Sequence, residues 1–170
     1  MRDARLFSCW ISPDLIRFEA IVIGCFLAVA ITLIHITGLN GIVTWSQGKS
    51  RNLRERDARP VLASWYFGLT ILLMLLLHIS DAVIWACIVY AMKLIPNIHD
   101  AFYFSANTYT SLGYGDMLFS SDWRELAPLM AISGLFTFAC TTGQLFSVMG
   151  NHHAVLTELR AKHKTKSAAP

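Results

Sequence analysis

The sequence predicts an all-α membrane protein with three transmembrane helices and a short re-entrant segment between the second and the third. Three observations carry that expectation. Of 170 residues, 55% are hydrophobic and only 15% are charged, against roughly 25% charged in an average soluble domain. The apolar residues fall in long blocks, three of which are near or above the roughly 20 residues needed to cross a hydrocarbon core about 30 Å thick. Between the second and third blocks, the segment from Asp100 to Asp116 is too short to cross and return as two helices, and it ends in two glycines and a tyrosine. This pattern argues against a soluble enzyme, a disordered chain and a disulfide scaffold. Of the four cysteines, Cys25, Cys87 and Cys140 sit inside apolar stretches, where cysteine behaves as a small hydrophobe, and with Cys9 they form no zinc or redox spacing.

Residues 1–60 form an N-terminal segment carrying the first transmembrane helix, about 20–39, and a basic loop. The block from Ala20 to Thr37 holds no charge. Ala28-Val29-Ala30 mimics a signal-peptide cleavage site, but Ile31 to Ile36 stay mostly apolar after it, which favours a retained span. The second block, 61–95, is read as one long outer helix, because His78-Ile79-Ser80-Asp81 is its only polar interruption. Trp65-Tyr66 and Tyr90 bracket about 36 Å of helix, a spacing that suits two interfacial aromatic belts. A re-entrant helix over 100–110 and an irregular stretch over 111–115 follow. The third span, 126–149, has Pro128 in its first turn, where a missing N–H costs least. Residues 151–170 form a short basic tail.

Nine of the fourteen lysines and arginines lie either between spans one and two (Lys49, Arg51, Arg54, Arg56, Arg59) or in the tail (Arg160, Lys162, Lys164, Lys166). Short cytoplasmic segments accumulate such residues. An even number of crossings separates the two groups, so both fit the cytoplasmic side, with the N-terminus outside, in a plasma (inner) membrane. Trp45 would be an interfacial anchor, and the basic residues would meet anionic lipid. They serve topology, and nothing points to nucleic acid.

Irregular backbone at membrane depth survives only where protein buries it or water is lined by it, since lipid cannot satisfy its polar groups. The stretch Thr108-Tyr109-Thr110-Ser111-Leu112-Gly113-Tyr114-Gly115-Asp116 resembles the signature of the tetrameric pore-loop potassium channels, whose filter usually reads TVGYG. The resemblance covers Val61 to about Gly150, a two-transmembrane pore unit to which this chain adds one N-terminal span. It implies a homotetramer, with potassium ions held by filter carbonyls of Thr110, Ser111, Leu112, Gly113, Tyr114 and Gly115. It also implies support from Thr108 and Asp116, no cofactor beyond the permeant ion, and no enzymatic activity. Gly113 and Gly115 permit dihedrals that strain other residues. Ser111-Leu112 departs from the usual Thr-Val: the hydroxyl is kept and the β-branched side chain is lost. A non-selective cation channel is the nearest alternative, followed by a non-conducting accessory subunit.

Gly134, Thr137, Thr141, Gln144 and Val148 recur at spacings of three and four on the third span, a small or polar stripe that would line a wet vestibule, with Gly134 near the family's inner-helix hinge. Unpaired ionisable groups in a membrane cost several kcal/mol, so His35, His78 and Asp81 each call for a partner. Asp81 is expected to bond Tyr103, Thr108 or His78 as a buttress, or to form a proton-sensitive latch with His78. As metal ligands, His78 and Asp81 are too few. His152 and His153 would place a ring of imidazoles at the inner mouth. No helix carries the regular arginines of a voltage sensor. From another class, Gly113-Tyr114-Gly115-Asp116 also fits the Gly-x-Gly-Asp motif of intramembrane aspartyl proteases, with Asp81 as second carboxylate, but Asp116 falls in an external connection rather than a span.

Overall fold

The computed structural model describes residues 18–56, 59–115, 117, 119 and 123–168, and among these described residues there are four helices. They are α1 (Phe18–Glu55), α2 (Pro60–Ala91), α3 (Ile98–Tyr109) and α4 (Leu126–Ala168). α1, α2 and α4 are each long and apolar enough to cross a membrane, and the described residues contain no strand.

Two helices overrun the lengths expected from hydropathy. The polar stretch from Gly41, expected as a loop, continues α1 unbroken to Glu55. Glycines 41 and 48 each cost about 1 kcal/mol relative to alanine, but Val43, Ser46 and Leu53 are buried on this segment, and tertiary packing outweighs propensity. α4 likewise runs past Met149 to Ala168, so the expected short tail is helical. Val155 and Leu159 of that extension pack with Leu53 of α1 and Ala63 of α2. At 1.5 Å per residue, α1 is about 57 Å long, well beyond a hydrocarbon core of about 30 Å.

α2 is shorter than expected, ending at Ala91 rather than 95. Pro60 starts it, where the missing N–H is harmless. At its end Lys93 takes a left-handed φ of 57°. The Leu94 N–H donates to the Val89 carbonyl (3.1 Å) and the Lys93 N–H to the Tyr90 carbonyl (2.9 Å), the paired bonds of a Schellman cap. α3 is opened by Asn97, whose side chain accepts from the His99 N–H at 3.0 Å.

α1 and α4 run parallel and α2 antiparallel to both. The first helix packs on α2 and α4 alike: a Cβ on Gly24 would meet Leu129 of α4, and one on Gly38 would meet Leu77 of α2. The interior is layered along the bundle. One apolar cluster gathers Ile31, Trp85, Val89, Phe104, Tyr109 and Met130. A second holds Leu39, Val43, Met74 and Val148. The third is the Leu53 and Leu159 layer. Polar contacts lie between them. Phe26, Leu33, Leu72, Phe136 and Phe146 face outward, an apolar surface suited to lipid or to further chains.

Candidate functional site

α3 presents Ala101, Phe104, Ser105 and Tyr109 to the interior, a three-and-four spacing that seats one face of a short helix. Its C-terminus is closed by the same device as α2. The Leu112 N–H donates to the Asn107 carbonyl (3.0 Å) and the Ser111 N–H to the Thr108 carbonyl (2.9 Å), with Ser111 at the left-handed position, φ 58°. Glycine usually fills that position. The Thr110 hydroxyl donates to the Ala106 carbonyl at 2.8 Å.

Beyond the cap the chain does not return to helix. Ser111, Gly113 and Gly115 have φ values of 58°, 62° and 75°, whereas Leu112 and Tyr114 keep negative φ. Left-handed and ordinary residues therefore alternate over five positions. Such alternation turns successive peptide groups toward one side of the chain, the condition for an oriented row of backbone dipoles. Ser111 to Gly115 are exposed: Leu112 is 58% and Tyr114 68% accessible. Asp116 lies outside the described residues, and with it the comparison of Asp116 with Asp81.

Behind this segment lies a buried polar network joining all four helices. The His35 Nδ1 on α1 stands 2.6 Å from Asp81 Oδ2 on α2, and the carboxylate can only accept. The Tyr109 hydroxyl donates to the same oxygen at 2.8 Å. Thr137 Oγ1 of α4 is 2.6 Å from the Tyr109 hydroxyl, and His78 Nδ1 is 3.1 Å from it. His35 Nε2 reaches Thr141 Oγ1 at 2.9 Å. The His78 ring stacks on Phe138, with centroids 4.1 Å apart. His35, Asp81 and Thr137 are fully buried. Asp81 is thus held by His35 and Tyr109 rather than by the expected Tyr103, Thr108 or His78; His78 reaches the shared tyrosine instead. Below it, Thr70 donates to Ser46 at 3.1 Å, and above it the Trp85 indole donates to Ser133 at 3.2 Å.

The small and polar stripe of α4 faces this interior, not a free surface. Thr137 and Thr141 bond Tyr109 and His35, Val148 lies in the second apolar cluster, and only Gln144 is partly exposed. The stripe expected to line a vestibule is, within one chain, the packing face of α4. Gly134 has a local reason of its own: a Cβ there would collide with the Tyr109 carbonyl oxygen, so glycine permits α4 to touch the end of α3. His152 has a packing partner within the chain. Its ring stacks on Phe67 of α2, with centroids 4.3 Å apart and planes 5° apart, while His153 is exposed.

His35, His78 and Asp81 offer ligand atoms within 4.8 Å of one another. Two ligands of one tetrahedral zinc stand about 3.3 Å apart, given bond lengths near 2.0 Å. The 2.6 Å contact between His35 and Asp81 is instead a hydrogen bond, so the arrangement is a proton-sharing network.

Sequence reasoning singled out His35, His78 and Asp81 of this network but gave no role to Tyr109, its hub. The signal was present in the α3 spacing, which places Tyr109 on the same face as Ala101 and Phe104. Pairing His35 with Asp81 was also open to inference, since two ionisable residues on different spans each need a partner.

Compared with known proteins, residues 61–151 match the profile of a family described as ion channel. No curated protein and no solved structure matches the chain.

Proposed function

The chain belongs to the ion channel family, its matched region spanning α2, α3 and most of α4, and from that premise we propose that it is a potassium-selective channel formed by four copies around an axis. The observation that carries this reading is the exposed stretch from Ser111 to Gly115. It is irregular backbone next to a capped short helix between two spans, and a single chain leaves it uncovered. At membrane depth such backbone must line water or be buried by protein. Four copies supply both: the outward faces pack together, and the aligned carbonyls replace the hydration shell of a dehydrated cation.

Gly113-Tyr114-Gly115 and the Ser111 hydroxyl favour potassium over sodium. Thr110, Leu112 and Tyr114 complete the ion-binding row, with Thr108 and Asp116 as support. The reading needs no cofactor besides the permeant ion. Leu112 favours the second reading, a cation channel of relaxed selectivity, because its longer side chain replaces a stiff β-branched one where filter meets scaffold. The basic ends of α1 and α4 meet at one end of the bundle, where Arg54 and Lys162 both approach Glu158. Their charge supports a cytoplasmic placement of that end, with the N-terminus outside.

The deciding experiment is cation flux through purified protein in liposomes, with potassium or sodium as the only driven cation and Tyr114→Ala as control. Potassium flux far above sodium, abolished in the control, is expected. Equal fluxes would establish the relaxed-selectivity reading. No flux with either ion would overturn conduction and return attention to an accessory-subunit or protease role.

A further inference from the structure

The first helix lies outside the region that matches the family, yet it enters the most buried polar network of the molecule. Tyr109 is the last residue of α3 and precedes the filter segment by one residue. Its carbonyl oxygen is wedged against Gly134, and its hydroxyl meets Asp81, Thr137 and His78. The filter therefore starts from a residue held at both ends. The strength of that hold depends on Asp81, whose Oδ2 accepts both of its hydrogen bonds while Oδ1 has no protein partner. One of the two donors comes from α1.

We propose that His35 is a positioning residue for the filter, acting through Asp81 and Tyr109, so that the added first helix is a working part of the pore rather than an anchor alone. This rests on the conduction reading above. The geometry suits the role, because both ring nitrogens of His35 are engaged: Nδ1 by Asp81 on α2 and Nε2 by Thr141 on α4. The ring can neither flip nor translate without breaking a bond on one side. A carboxylate deprived of His35 keeps a single donor, Tyr109, in surroundings where an under-partnered charge is costly. The carboxylate, and the tyrosine bonded to it, then settle elsewhere, and the first filter carbonyls move with them.

The test compares His35→Ala with Leu39→Ala in the full chain in liposomes. Leu39 is a buried residue one turn along α1, packed with Val43, Met74 and Val148, and it has no polar atom to join the hydrogen bonds. His35→Ala is expected to lower the potassium-to-sodium permeability ratio about fivefold or more, the low end of typical coupling between sites, with His35→Gln recovering part of it. Leu39→Ala is expected to lower protein yield and leave the ratio unchanged. In an Asp81→Asn background the His35 substitution adds nothing further, since both act on one bond. Amide hydrogen exchange over residues 107–115 gives a readout independent of ion flux, expected to accelerate in His35→Ala and not in Leu39→Ala. If the wild-type protein passes no potassium, the conduction reading fails. Unchanged exchange in His35→Ala, an unaltered permeability ratio, or equal effects of the two substitutions would overturn the positioning role.

Discussion

Among the described residues, two that are not glycine hold left-handed backbone, and each ends a helix. Lys93 and Ser111 sit at the same position of the same cap, where a side chain costs about 1–2 kcal/mol that glycine avoids. Lys93 is exposed, so Lys93→Gly is expected to stabilise the protein by about 1 kcal/mol, read as a rise in melting temperature with ion flux unchanged. Ser111 keeps the same strain for the sake of its hydroxyl in the proposed filter. Gly134 is the converse case. Gly134→Ala must push the end of α3 away from α4, and a loss of about 1–3 kcal/mol is expected from the overpacking. The melting temperature checks this, and potassium flux should fall with it because the displaced carbonyl belongs to Tyr109.

At the scale of elements, two kinds of polar contact tie the helices together, and they differ in strength. The Tyr109 and Thr137 contact is buried and shielded from salt. Thr137→Val keeps the shape and removes the hydroxyl, and should cost about 1 kcal/mol, the usual range for hydrogen bonds between membrane helices, in a melt that does not change with ionic strength. The contacts among Arg54, Glu158 and Lys162 are of the other kind. Their side chains are 36%, 39% and 43% accessible, so solvent screens them. Glu158→Gln is expected to cost less than about 1 kcal/mol, and the difference should vanish near 1 M salt. Comparing the two variants across salt concentrations separates the buried hydrogen bond from the solvent-screened charge pairing.

For the whole molecule, the proposed assembly covers the exposed stretch from Ser111 to Gly115 with neighbouring copies, while the apolar outer faces of α2 and α4 suit lipid or those copies. Native mass spectrometry from detergent is expected to give four times the 19.0 kDa chain. A monomer that still conducts would contradict the arrangement of four filters around an axis. A cytoplasmic location for the joined ends of α1 and α4 is checked by labelling a cysteine placed at exposed Arg160: in intact cells a membrane-impermeant reagent should not reach it.

Composition and hydropathy alone determined that three stretches are long and apolar enough to cross a membrane, because about twenty apolar residues match the thickness of a hydrocarbon core. The family, too, is legible in residues 108–116, which resemble the signature of the pore-loop channels, and the family profile matches the region that holds them. Helix lengths were less legible. Hydropathy registers contact with lipid, whereas Gly41 to Glu55 and the residues after Met149 are helical through contact with each other. The roles of Thr137 and Thr141 were also out of reach, because a small polar stripe reads alike whether it faces water or a neighbouring helix. Only the tertiary structure decided that these threonines, His35 and Asp81 converge on Tyr109. A hydrogen-bond partner is chosen by distance in three dimensions, and residues 35, 81, 109 and 141 are brought within bonding range only by the packing of four helices.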